Sequence, residues 1–112
     1  MGALRGRVLV ADDSDVFLRT AASVISATST LGLVGSAGSG HEAIRLVPQL
    51  RPDLVLLDFR MPGMDGIQTT RIIRREEPRT VVIVISAEAD GLSDAARAAG
   101  AAATPPQARL RP

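Results

Sequence analysis

The stretch Leu54–Gly66, LVLLDFRMPGMDG, decides the fold. Four consecutive apolar residues without polar alternation fit a strand buried on both faces, as in a parallel sheet. The run nevertheless ends on a carboxylate, Asp58, and turns at once through Pro62 and Gly63. On either side of it the same grammar repeats. RVLVAD (Arg7–Asp12) is a short apolar run closed by acids, and TVVIVIS (Thr80–Ser86) is apolar and β-branched. LGLVGSA (Leu31–Ala37) is a weaker strand that gives way to the loop GSAGSG. Between the strands, apolar residues recur at helical spacing: Phe17, Thr20, Ala21 and Val24, then Ala43, Leu46, Val47 and Leu50, with Pro52 helping to stop that second helix. Gly66 to about Glu76 reads as a third helix with a basic end, which suits the helix dipole. Leu92, Ala95, Ala96 and Ala99 mark a fourth.

Strand and helix alternating in this way predict an α/β fold, an open parallel sheet with helices on both faces. In the flavodoxin-like order 2-1-3-4-5 the first and third strands are neighbours. The fifth strand is weak: Gly100–Thr104 is GAAAT, and PPQARLRP carries three prolines in eight residues, which allows an edge strand at most. No fifth helix is expected after it. The expected division is a folded domain over 1–103 and an irregular Pro/Arg-rich tail over 104–112.

In such sheets ligands bind beyond the carboxyl ends of the strands. Asp12 and Asp13 follow the first strand, Asp58 ends the third and Ser86 the fourth, so the three carboxylates are expected to converge on one shallow pocket beside a hydroxyl. Carboxylates crowded together repel one another unless a cation sits among them. Mg²⁺ suits such a cluster, because it takes oxygen ligands, keeps several waters and is commonly shared with phosphate. An aspartate beside it can attack phosphorus and carry the phosphoryl group. Singly, each feature has a plainer explanation. DDSD before a helix is a capping cluster, and an Asp opening a turn is ordinary turn chemistry. It is their occurrence at consecutive strand ends of one sheet that favours a site.

Composition narrows the function classes. The 112 residues suffice for one core, with 46% apolar and 22% charged residues. All 13 basic residues are arginine, set against 12 acids for a net charge of +1. The pI of 9.0 means little, since few groups titrate between the carboxyls and the arginines. With no clustered basic run, two Phe and neither Trp nor Tyr, the chain lacks the means to grip or stack on nucleic acid. No cysteine removes disulfides and thiolate metal sites, which fits a cytoplasmic protein. The opening MGALRGRVLVADDSD matches neither a signal peptide nor a membrane span.

Two other chemistries fit less well. The glycines of GSAGSG follow the second strand in the order G-x-x-G-x-G, not the dinucleotide-binding order after the first. A haloacid-type phosphatase would also use an aspartyl nucleophile, but such enzymes show D-x-D at the first strand rather than the DD at 12–13. His41 has no second histidine with which to bind a metal.

VLVADDSD, LVLLDFRMPGMDGI and VVIVISA together resemble a receiver domain of a two-component response regulator, CheY-like and most similar to receivers of the NarL/FixJ kind, over roughly residues 7–103. The resemblance implies Asp58 as phospho-acceptor for a histidine kinase. It further implies Mg²⁺ bound directly by Asp13, Asp58 and the backbone carbonyl of Arg60, with Asp12 acting through water. Ser86 would be the switch hydroxyl that bonds the phosphoryl group, beside the small Ala87, and Arg60 and Glu88 would tune how long the phosphate survives. A receiver of this kind is not an enzyme beyond its own phosphorylation and dephosphorylation, and it acts by switching a contact with a downstream protein.

The sequence departs from the family at its end. The family's lysine would fall at Gln107, and a chain with no lysine cannot supply it from another position. The aromatic expected near Thr104 is also missing. Gln107 can donate only a neutral hydrogen bond, and Arg109 is the nearest cation that could bend back to a phosphate. The alternative is therefore a degenerate receiver, a phosphorylation-independent binding or dimerisation module. Without a fifth helix, LVLL and VVIVI should leave an apolar patch on one face, to be covered by a homodimer or by the tail. No DNA-binding segment follows, so the expected output is a protein contact.

Overall fold

The computed structural model describes residues 6–85 and Gly100. The elements run β1 (Gly6–Ala11), α1 (Asp15–Ala27), β2 (Leu31–Ala37), α2 (Gly40–Leu50), β3 (Leu54–Asp58), α3 (Gly66–Glu76) and β4 (Val81–Ile85). The four strands form one sheet in the order β2-β1-β3-β4, and every pairing is parallel. This is the expected flavodoxin-like arrangement. The fifth strand, the fourth predicted helix, the expected lack of a fifth helix and the 103/104 boundary lie outside the described residues.

Each helix starts where a short polar side chain can satisfy its free amides. Ser14 accepts from Phe17 N at 3.3 Å and Ser39 from Glu42 N at 3.1 Å. Asp65 accepts from Gln68 N at 2.9 Å while Gln68 returns the bond to Asp65 N at 3.2 Å, a reciprocal capping box. At its far end α2 stops at Arg51, whose φ of 49° is left-handed, just before Pro52.

The two faces of the sheet are covered unequally. Leu9, Ala11, Val55, Leu57, Val82 and Val84 are fully buried and pack with Val47 of α2 and Ile73 of α3. At about 25 cal/mol per Å² a leucine so enclosed contributes roughly 2–3 kcal/mol. The other face carries Val8 and Val10, covered by Ile25, Phe17, Leu18 and Ala21 of α1. Further along that face Leu54, Leu56, Ile83 and Ile85 are half-buried, and Val81 is 42% exposed. Whether a fifth helix is lacking over this face lies outside the described residues.

One predicted helix face is corrected. The sequence placed Phe17, Thr20, Ala21 and Val24 inward, but Val24 is 61% exposed and Thr20 lies in solvent. Helix α1 carries two overlapping apolar stripes, and the sheet takes the one through Leu18, Ala21 and Ile25. Helical spacing alone cannot choose between stripes one residue apart.

Candidate functional site

The carboxyl ends of β1 and β3 are adjacent, because Ala11 pairs with Leu57. Asp12 and Asp13 leave β1 from this edge as Asp58 closes β3. The backbone of Asp12 is tied by its N–H to Ala37 O at 3.0 Å, and its side chain is buried, with 4% exposure. One of its carboxylate oxygens accepts from Asp13 N at 2.8 Å. Asp58 is half-buried and accepts from Arg60 N at 3.1 Å.

Electrostatics show that these groups share one site. Burial, then the charge of Asp58, pushes the Asp12 carboxyl up from 3.8 to about 6. Burial also raises Asp58, as does the charge of Asp13, against the lowering effect of the Arg60 amide and of a hydrogen bond from Asp12. A carboxyl held above its ordinary value by burial and by like charge is one whose hydrogen-bond partners do not fully offset the cost of ionising it. Among the described residues, no three His, Cys, Asp or Glu side chains stand together closely enough to enclose a metal ion unaided.

The loop from Phe59 to Asp65 forms the wall of the site. Phe59 N donates to Ile85 O at 2.9 Å, and Gly66 N closes the loop on Phe59 O at 2.8 Å. Gly66 is required at that closure, since a Cβ there would stand 2.9 Å from Asp58 O and 3.0 Å from Phe59 Cα. Gly63 takes a φ of 82°, open to glycine at little cost. A shallow cleft lies along the loop, lined by Asp13, Phe59, Arg60, Met61, Pro62 and Asp65.

The structure thus brings together Asp12, Asp13 and Asp58, with Arg60 beside them. Ser86, Ala87, Glu88, Thr104, Gln107 and Arg109 lie outside the described residues. Sequence reasoning missed Asp65 at the cleft, although D-G before a helix is a capping signal, and the capping box accounts for its carboxylate. It also missed Thr69 and Thr70, both fully buried, whose hydroxyls return to Asp65 O and Gly66 O at 2.8 and 2.7 Å.

Acidic strand ends grouped at the mouth of a 2-1-3-4 sheet agree with the family match: residues 8–104 fit the response regulator receiver domain. The chain belongs to that family. This receiver resembles the signal receiver domain of the putative response regulator NarL from Mycobacterium tuberculosis, with a TM-score of 0.85 and 36% identity over 90% of this chain and 82% of that one. It resembles the response regulator domain of Thermotoga maritima CheB equally in shape, with a TM-score of 0.85 and 30% identity over 91% and 78%. A protein-glutamate methylesterase/protein-glutamine glutaminase of Myxococcus xanthus is 45% identical over 78 residues, 70% of this chain but 22% of that protein. The receiver spans about a fifth of the length of the curated relatives it matches. These relatives are named as enzymes, which overturns the expectation that the protein belongs with non-enzymes. In those relatives the matching segment lies within chains named as enzymes. Among the described residues no helix is long and apolar enough to cross a membrane.

Proposed function

We propose that this receiver accepts a phosphoryl group on Asp58 from a histidine kinase and thereby switches a contact with a downstream protein. The observation that carries the reading is the meeting of Asp12, Asp13 and Asp58 at the strand mouths, with the buried Asp12 carboxyl raised by burial and the charge of Asp58, and the half-buried Asp58 carboxyl raised by burial and the charge of Asp13. Such a cluster has more negative charge than the chain neutralises, which suits a site that takes a cation with its substrate.

The donor set suits Mg²⁺. This ion keeps several waters and takes one or two carboxylates, whereas Ca²⁺ takes six to eight oxygen ligands and Zn²⁺ favours the nitrogen and sulfur donors that this site lacks. Asp13, Asp58 and the Arg60 carbonyl would hold it directly, and Asp12 through water. When bound, the ion neutralises the phosphoryl oxygens so that an anion can approach anions. The residues do the rest. A carboxylate oxygen of Asp58 forms a bond to phosphorus while the bond from phosphorus to the donor's histidine nitrogen, or to acetate oxygen in acetyl phosphate, breaks. The Arg60 amide holds the other Asp58 oxygen, so one oxygen stays directed at phosphorus. Ser86 would bond the transferred group, and Arg60 and Glu88 would set how fast water reaches it.

Acetyl phosphate with Mg²⁺ is expected to phosphorylate the wild type and not Asp58→Asn, read by intact mass. If the wild type gains no mass and also binds no Mg²⁺, the reading fails and the degenerate binding module replaces it. The names of the relatives direct the downstream contact towards a methylesterase/glutaminase effector, with the receiver as its regulatory part. The half-covered face at Leu54, Leu56, Val81 and Ile83 is the surface we assign to a second copy. A monomeric mass in size-exclusion runs at every concentration would dismiss that assignment.

A further inference from the structure

We propose that Gly40, on a different element from the acidic site, is a positioning residue for it: its missing side chain lets α2 back the Phe59–Asp65 loop and so sets where Arg60 presents its backbone. The inference rests on the reading of Asp58 and its neighbours as a phosphorylation and Mg²⁺ site.

Gly40 is the first residue of α2 and is buried against α3. A Cβ there would stand 2.1 Å from Thr69 Oγ1, 3.2 Å from Met64 O and 3.4 Å from Met64 Cβ. The first distance is an overlap, and the others leave no slack. The obstructing hydroxyl is itself engaged, since Thr69 Oγ1 donates to Asp65 O at 2.8 Å. Moving it disturbs Asp65, which caps α3 and ends the loop.

The loop transmits that disturbance in one direction. Its base is pinned, with Phe59 N on Ile85 O and Gly66 N on Phe59 O. The base is close-fitting as well, since even a Cβ added at Gly66 would stand 2.9 Å from Asp58 O and 3.0 Å from Phe59 Cα. Pressure on Met64 therefore passes to the span Arg60–Pro62, because Met64 N donates to Pro62 O at 3.0 Å. Arg60 N is the donor to Asp58 Oδ2, so the displaced span holds the acceptor aspartate itself. Site geometry is sensitive at this scale, since a misplacement of about 1 Å can cost about a hundredfold in rate.

Helix propensity works against any bland explanation. Gly→Ala inside a helix ordinarily stabilises, so a loss at this position must come from the contacts.

The test is a double-mutant cycle on Gly40 and Thr69, read by NMR titration of the Asp13 and Asp58 amides with Mg²⁺ and by the rate of phosphorylation with acetyl phosphate. Gly40→Ala is expected to weaken Mg²⁺ binding and slow phosphorylation about tenfold. Thr69→Ala should stay near wild type, because Thr69 N keeps its own bond to Asp65 O at 3.0 Å when the hydroxyl is removed rather than pushed aside, and the double variant should recover most of the loss, because the obstructing oxygen is gone. Gly40→Ala with wild-type Mg²⁺ affinity overturns the proposal. So does a folded double variant that is as impaired as Gly40→Ala, and this arm decides the matter if the single variant does not fold. A wild type whose amides ignore Mg²⁺ removes the functional reading as well. A wild type that responds, alongside an unaffected Gly40→Ala, removes only the role of Gly40.

Discussion

The two ends of the sheet carry similar polar residues and use them in opposite ways. At the amino end Asp53 accepts from Arg7 N at 2.9 Å, while Asp53 N donates to Arg7 O at 2.8 Å and Val81 N to Asp53 O at 3.0 Å. The Arg7 guanidinium donates to Leu50 O and Arg51 O, the carbonyls that end α2, where a cation is favoured. Every one of those polar groups is consumed in tying β1, β3, β4 and α2 together. At the carboxyl end Asp12, Asp13 and Asp58 face one another, and Asp12 and Asp58 are held above their ordinary range. The first end is built for the fold alone. The second stores an electrostatic cost that a cation or phosphorylation chemistry can relieve, which is how strained sites are retained in stable domains.

The strongest way to break this contrast is through pH. Asp12 titrates near 6 in the folded chain against 3.8 ordinarily. Its folded value is raised, so its contribution is fully present below about pH 4 and is lost as pH rises through 6. With divalent cations chelated, stability should fall by about 2–3 kcal/mol across that window, since a tenfold change in proton affinity corresponds to about 1.4 kcal/mol. Asp12→Asn should flatten the profile and stabilise the protein at pH 7.5 by a similar amount. Urea midpoints between pH 4 and 8 check both, and a flat wild-type profile would place the two ends on the same footing.

Adding Mg²⁺ should reverse that cost. At ten times its dissociation constant the ion stabilises by about 1.4 kcal/mol through mass action, and it should shrink the pH dependence because it favours the ionised carboxylates. Asp13→Asn should lose this response. Asp53→Ala at the other end should keep it, while losing about 1 kcal/mol through the unmet Arg7 amide. Thermal shifts with and without Mg²⁺ separate the two variants. A loss of the Mg²⁺ response in Asp53→Ala would mean that the ends are coupled through β3.

Much of this was legible in the sequence because strand burial and helix caps are local signals. LVLLD reads as a buried strand with a polar mouth, and it is β3 to the residue. Gly66 to about Glu76 could be bounded from its basic last turn, while the capping aspartate before it went unread. Asp12, Asp13 and Asp58 could be grouped once the strand order was assumed. What was not legible depends on contacts between elements. The inward stripe of α1 is set by its packing on Val8 and Val10 of β1, and the bond between Arg7 and the end of α2 spans more than 40 residues. The clearance at Gly40 exists only when α2 and α3 cross, and no pattern within either helix announces it.

The smallest expected effect is the sharpest test of the division between used and unused carboxylates. Asp65 lines the same cleft as Asp13, so position alone would assign it to the cation. Its oxygen instead accepts from Gln68 N at 2.9 Å as the cap of α3. Asn caps a helix about as well as Asp, since either side-chain oxygen accepts the amide. Asp65→Asn should therefore change stability by less than about 0.5 kcal/mol, with the Mg²⁺ midpoint close to wild type. Asp13→Asn, which alters the same net charge in the same cleft, should shift that midpoint strongly. Equal shifts in the two variants would mean that the cation responds to the summed charge of the cleft, and the distinction between a spent carboxylate and a waiting one would fall.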